Sequence, residues 1–213
     1  MLSLLITGFG PFPGAPFNPS GALAQRLARQ RRPALSGVRI ATHVFDVSYA
    51  AVDRDLPRLI ETHRPDVLLM FGLAARSRQV RIETRVRNAR ATFPDASGRR
   101  PTLRSIVPGA PARDLMLPRQ PLFAAARRTG IPVRLSRDAG AYLCNYLCWR
   151  ALDAAGTPGG PRCVTFVHVP LVSRTSRVPA AARRIGFPDL VRIGETMLTV
   201  LIANTPITNA WRR

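Results

Sequence analysis

The residues of this chain best suited to covalent chemistry are one cysteine, one histidine and one glutamate, widely separated along the sequence. Cys144 stands in Asp-Ala-Gly-Ala-Tyr-Leu-Cys-Asn, residues 138–145, where a loop turns into an apolar helical pattern. In the first turn of a helix, unpaired backbone N–H groups and the positive end of the dipole favour a thiolate over a thiol. Cys148 lies one turn deeper, where that help has faded, and Cys163 opens an apolar run and reads as core. A free cysteine is more often a small buried apolar residue than a nucleophile, so only its position singles out Cys144.

His168 follows Val-Thr-Phe-Val and precedes Val169-Pro170. An imidazole at the C-terminal end of a buried strand is where open α/β sheets keep ligand-facing groups. His43, mid-strand, and His63, near a helix end, fit structural roles. A thiolate–imidazole pair needs an acceptor to orient the ring, and Glu83 can supply it. Residues 80–86 alternate, with Val80, Ile82, Thr84 and Val86 on one face and Arg81, Glu83, Arg85 and Arg87 on the other. The plain alternative for Glu83 is an ion pair with a flanking arginine. No metal site is expected: Cys144, Cys148 and His168 offer only three soft ligands, at no zinc-module spacing.

These residues need a scaffold. The 213 residues are 46% hydrophobic and 21% charged, enough to bury a core, and their length fits a single domain spanning 1–213. Apolar runs alternate with amphipathic segments, the signature of an α/β layered fold. Strands are expected at residues 2–7, 38–46, 67–72, 80–86, 133–136 and 163–169. Helices are expected from Asn18-Pro19 to about Arg31, from Ser48 to about His63 with Pro57 inside, and at 121–129, 141–155 and 188–203. Residues 88–118 carry Pro, Gly, Ser and Arg without a period and read as a long irregular excursion, a common form for binding loops. The turn Gly8-Phe-Gly-Pro-Phe-Pro-Gly-Ala-Pro-Phe-Asn-Pro-Ser20 lacks the glycine spacing and lysine of a phosphate loop. Its Phe9, Phe12 and Phe17 can instead wall a small rigid apolar pocket, or simply pack on the core.

The net charge is +20, and all 32 basic residues are arginine. They fall in ones and twos, such as Arg31-Arg32, Arg99-Arg100, Arg127-Arg128 and Arg183-Arg184, never in the dense runs that mark nucleic-acid contacts. A total absence of lysine reads as codon usage, and no specific nucleic-acid partner is expected. No apolar run approaches the roughly 20 residues of a membrane span. The first six residues lack the features of a secretory signal, so a cytoplasmic location is expected. The three cysteines argue against a disulfide framework.

Four segments together resemble the pyroglutamyl peptidase I family of cysteine peptidases. TGFGPFPGAPFNPS (7–20) is similar to its signature loop, RIETRVRN (81–88) to the segment bearing its glutamate, SRDAGAYLCN (136–145) to its nucleophile motif and FVHVP (166–170) to its histidine motif. Order and spacing agree from end to end. The resemblance implies an α/β/α sandwich around a twisted, largely parallel sheet, with Cys144 as nucleophile, His168 as general base and acid, and Glu83 orienting His168. It implies removal of N-terminal pyroglutamyl residues from peptides without a cofactor, by a homo-oligomer, dimer or tetramer. Phe9 and Phe12 match the walls of the lactam pocket, Asn18 a polar residue of the same loop, and Tyr142 and Leu143 are expected to line the pocket too. Arg90 is the candidate for an arginine near the oxyanion. One departure concerns specificity: where the family reads Gly-Gln-Ala-Gly-Gly, this chain has Gly72-Leu73-Ala74-Ala75-Arg76, placing Leu73 where a pocket glutamine is expected. The remaining alternatives are a cysteine hydrolase of the same fold acting on another small acyl or amide substrate, and a non-catalytic basic binding protein.

Overall fold

A computed structural model describes residues 1–30, 33–172 and 185–205. The elements run β1 (Leu2–Phe9), α1 (Pro19–Ala28), β2 (Val38–Phe45), α2 (Tyr49–His63), β3 (Val67–Leu73), β4 (Val80–Glu83), β5 (Arg85–Val86), β6 (Arg113–Asp114), α3 (Arg119–Arg128), β7 (Val133–Ser136), α4 (Leu143–Ala155), β8 (Cys163–Val169) and α5 (Phe187–Ala203). The helix starts follow local chemistry. Asn18 caps α1 by accepting from Ser20 N, with Pro19 in the first turn, and Ser48 Oγ caps α2 by accepting from Ala51 N at 3.1 Å. Pro57 is accommodated within α2.

Six strands form one sheet in the order β2-β1-β3-β8-β4-β7. The pairs β1·β2, β1·β3 and β3·β8 are parallel; β4 runs antiparallel to β8 and parallel to β7. Successive strand residues face opposite sides, so the apolar strands feed two cores at once. On one face Leu4, Ile6, Leu69, Phe71, Val80, Ile82, Val167 and Val169 pack with α1, α3 and α5. On the other Leu5, Leu68, Met70, Val164 and Phe166 pack with α2 and α4. The result is the α/β/α sandwich expected from the sequence.

Two local expectations are corrected. The alternating stretch 80–86 is not one strand. Thr84 breaks it: its backbone N–H and hydroxyl both donate to Ser136 O while its carbonyl accepts from Leu115 N, so β5 leaves the main sheet to pair with β6. Glu83, on the polar face of β4, is fully buried. Helix α1 ends at Ala28 rather than Arg31; Arg31, with the doublets Arg31-Arg32 and Arg183-Arg184, lies outside the described residues. Among the described residues no helix is long and apolar enough to cross a membrane.

Candidate active site

Strand parity assembles the site. In β3, β8 and β4 the residues facing α4 are Met70 and Gly72, Phe166 and His168, and Arg81 and Glu83, because their neighbours Phe71, Val167 and Ile82 belong to the opposite core. Across the sheet Gly72 pairs with His168 and His168 with Arg81, while Glu83 pairs with Phe166. Glu83 therefore reaches the histidine ring on the diagonal, with Oε1 2.8 Å from Nδ1. An ionised carboxylate only accepts, so Nδ1 donates to it and Nε2 is left for the Cys144 sulfur. Burial pushes the proton affinity of His168 down. The negative sulfur of Cys144 and its hydrogen bond to the ring, followed by Glu83, outweigh that and raise the pKa from 6.5 to about 9. The edge of the Phe166 ring, 4.9 Å away centroid to centroid, fixes the remaining side of the imidazole.

Cys144 is the second residue of α4, where the N–H groups of the first turn have no intrahelical partner. Its sulfur lies against Gly72: a Cβ there would stand 2.7 Å from both the Cys144 sulfur and Phe166 Cζ. Only glycine lets α4 approach β3 this closely. The other cysteines are inert by environment. Cys148 is buried, and desolvation, with the charges of Cys144 and Glu83, pushes its thiol well above the usual range. Burial also raises Cys163, whose sulfur lies 3.6 Å from Thr165 Oγ1.

Of the expected pocket residues, Phe9, Phe12, Tyr142 and Leu143 share one apolar cluster with Cys144. Phe17 is exposed. Tyr142 is held by the Phe93 ring at 4.8 Å and by a hydrogen bond from its hydroxyl to Pro94 O at 3.3 Å. Burial, then the charges of Asp95, Tyr49 and Cys144, push Tyr142 up to about 12, so it stands as a neutral wall. Asn18 spends its amide on its own loop: Nδ2 donates to Gly10 O at 3.0 Å and Oδ1 accepts from Ser20 N and Oγ. Leu73 pairs with Val169, and the alternation that turns Gly72 to α4 carries the Leu73 side chain to the opposite face. Its backbone, not its side chain, borders the site.

The irregular excursion is pinned by residues the sequence did not single out. Asn145, beside Cys144 and fully buried, accepts from Arg87 N at 2.9 Å and donates to Arg87 O and Ala89 O. Asn88 accepts from Ile106 N and Val107 N and donates to Val107 O and Ala110 O. Asp95 accepts from the backbone N–H groups of Tyr49, Ser97 and Arg99. The segment tied to Asn145 leads into Arg90, whose guanidinium lies 5.0 Å over the Tyr146 ring and whose Nε is buried with no partner among the described residues. The signal available in the sequence was a polar residue directly after Cys144 in a largely apolar stretch of helix. Gly72 could be noticed only once α4 was seen to rest on it.

Comparison with known proteins points the same way. The family model described as pyroglutamyl peptidase matches residues 2–193. The chain is 32% identical to the pyrrolidone-carboxylate peptidase of Pyrococcus furiosus, over 80% of this chain and 82% of that one. It is 34% identical to that of Clavibacter michiganensis, over 80% and 79%. Among solved structures, a mutant pyrrolidone carboxyl peptidase from Pyrococcus furiosus superposes with a TM-score of 0.85 at 27% identity, covering 96% of this chain and all of that one. The enzyme from Thermococcus litoralis gives 0.84 at 27% identity, covering 95% and 94%.

Proposed function

The chain belongs to the pyroglutamyl peptidase family and is a cysteine-type omega peptidase; on that premise we propose that Cys144, His168 and Glu83 carry the reaction. The observation that supports this most is the fully buried Glu83 carboxylate, 2.8 Å from His168 Nδ1, on the sheet face that receives the Cys144 sulfur.

The Cys144 thiolate attacks the carbonyl carbon of an N-terminal pyroglutamyl residue, forming a C–S bond and an oxyanion. The free N–H groups of the first turn of α4 stabilise that oxyanion, with Arg90 as the candidate side chain beside them. His168 gives its proton to the departing amine as the C–N bond breaks, leaving a thioester. The now neutral ring takes a proton from water, whose oxygen attacks the thioester. The C–S bond breaks, pyroglutamate leaves and the thiolate–imidazolium pair is restored. Phe9, Phe12, Tyr142 and Leu143 supply apolar walls for the lactam. Its polar edges are read by the backbone at Leu73, since Leu73 directs its side chain away, while Asn18, its amide engaged by Gly10 and Ser20, holds the loop that carries Phe9 and Phe12.

The same reading takes residues 1–213 as one domain working in the cytoplasm, as a dimer or tetramer, on peptides that begin with pyroglutamate; the continuous sheet and its two flanking cores support the single domain. A fluorogenic pyroglutamyl amide, run beside alanyl and prolyl amides, tests the substrate. Turnover confined to the pyroglutamyl amide is expected. Preference for another acyl amide by well-folded protein would move the function to a different small acyl substrate.

A further inference from the structure

The residue directly opposite His168 on the neighbouring strand is an arginine. Arg81 pairs with His168 across β4 and β8, while the glutamate that bonds the ring comes from the next row. Arg81 Nη2 lies 3.0 Å from Glu83 Oε1 and 2.8 Å from Ser136 Oγ, and it also donates to the carbonyl of Asp138. Its side chain is 19% exposed against 0% for Glu83. One carboxylate oxygen thus faces two cationic groups, accepting from His168 Nδ1 and lying in ion-pair contact with Arg81 Nη2, while Oε2 has no hydrogen-bond partner among the described residues.

This is a different device from a histidine–carboxylate pair. In the first half of the reaction His168 is an imidazolium and balances Glu83. Once it has protonated the leaving amine it is neutral. A carboxylate buried with no cation beside it is then driven to take up a proton, and a protonated Glu83 no longer orients the ring as an acceptor. A guanidinium does not release its proton at any working pH, so it supplies the missing charge throughout the cycle. By dividing the charge of Oε1 it also keeps the imidazolium from being held too tightly to act as an acid.

Resting on the triad reading above, we propose that Arg81 is a positioning residue: it keeps Glu83 ionised and in place while His168 is neutral, and keeps the imidazolium proton releasable. Among the described residues, titratable and charged groups approach the Glu83–His168 pair from α4 and from β4. Cys144 and Cys148 face it from α4, and Arg81 from β4 itself. Asp138, in the β7–α4 connection, directs its carboxylate to Arg87 at 3.2 Å.

The test follows the His168 ring by NMR titration in the parent, Arg81→Gln and Arg81→Lys, with its signal assigned through His43→Gln and His63→Gln variants. In Arg81→Gln the His168 midpoint moves up by about one pH unit, and kcat on a pyroglutamyl amide falls about tenfold with little change in KM. In Arg81→Lys, which keeps the charge but not the fork to Ser136 and Asp138, the midpoint stays near the parent's and part of kcat returns. An unmoved or lowered midpoint in folded Arg81→Gln overturns the proposal. If Arg81→Gln does not fold, a midpoint in Arg81→Lys displaced as far as one pH unit overturns it instead. A parent without pyroglutamyl turnover would refute the triad reading, while the titration would still decide the role of Arg81.

Discussion

The same strands build two dissimilar faces. Toward α1, α3 and α5, strands β1, β3, β4 and β8 present Leu4, Ile6, Leu69, Phe71, Val80, Ile82, Val167 and Val169, a predominantly apolar surface. Toward α4 the alternate positions of β3, β4 and β8 hold Gly72, Arg81, Glu83 and His168 beside Leu68, Met70 and Phe166. One face is built for burial. The other gives up apolar area to hold an anion, two cationic groups and a glycine, and it tolerates them because the Glu83 carboxylate is bonded to His168 and ion-paired with Arg81 through Oε1. Stability and chemistry are therefore separable by residue parity, and substitutions on the two faces should fail in different ways.

The largest effect should come from the nucleophile. Cys144→Ser is expected to lower kcat by about 10³-fold or more with an unchanged melting temperature. Cys148→Ser should stay active and lose about 1–3 kcal/mol, since it buries a hydroxyl in apolar surroundings, and Cys163→Ser should stay active with a smaller loss, because Thr165 Oγ1 lies beside it. A dead but well-folded Cys148→Ser beside an active Cys144→Ser would break the assignment. Glu83→Gln should reduce kcat by roughly 10- to 10⁴-fold, because the amide no longer supplies a charge for the imidazolium. Normal kinetics would return Glu83 to a simple ion pair with Arg81.

On the opposite face the expected loss is in stability alone. Leu198, buried between α5 and the sheet, should cost about 2–5 kcal/mol on change to Ala, with kcat of the folded enzyme unchanged. A tenfold fall in kcat at full folding would show that the two faces are coupled. The pH dependence sharpens the comparison further. His168 is raised from 6.5 to about 9, so the charged ring is favoured in the fold; kcat/KM should fall on the alkaline side with a midpoint near 9. By the same sign, its contribution to stability is fully present below 6.5 and is lost as pH rises through about 9. An alkaline midpoint near 6.5 would mean that the ring is not paired as described. The smallest effect is expected at Leu73, whose side chain points to the stability face. Leu73→Gln should leave KM within about twofold, as a change outside the site does. A tenfold drop in KM for pyroglutamyl amides would show that a side chain at this position does reach the lactam.

Much of this was legible in the residues. The period-two runs and the caps at Asn18 and Ser48 marked strands and helices within a few positions, because hydrophobic patterning and local hydrogen bonding act over short stretches of chain. Cys144 was separable from Cys148 by one helical turn, and His168 by its place at a strand end. Glu83 was ambiguous, since an alternating strand reads as half-solvated, and nothing local says that its polar side will be covered by α4. The excursion was opaque because Asn88, Asp95 and Asn145 act on backbone far from them in sequence.

What the sequence determined by itself is the set of elements and the chemical types available at their ends, because both follow from neighbours within a turn or two. The tertiary structure decided which of those types meet. The antiparallel insertion of β4 beside β8 sets Arg81 opposite His168 and Glu83 on its diagonal, and the packing of α4 on Gly72 delivers the Cys144 sulfur to that row. Those meetings depend on strand order, register and helix approach, which are set by burial summed over the whole sheet and are not written in any local stretch of chain.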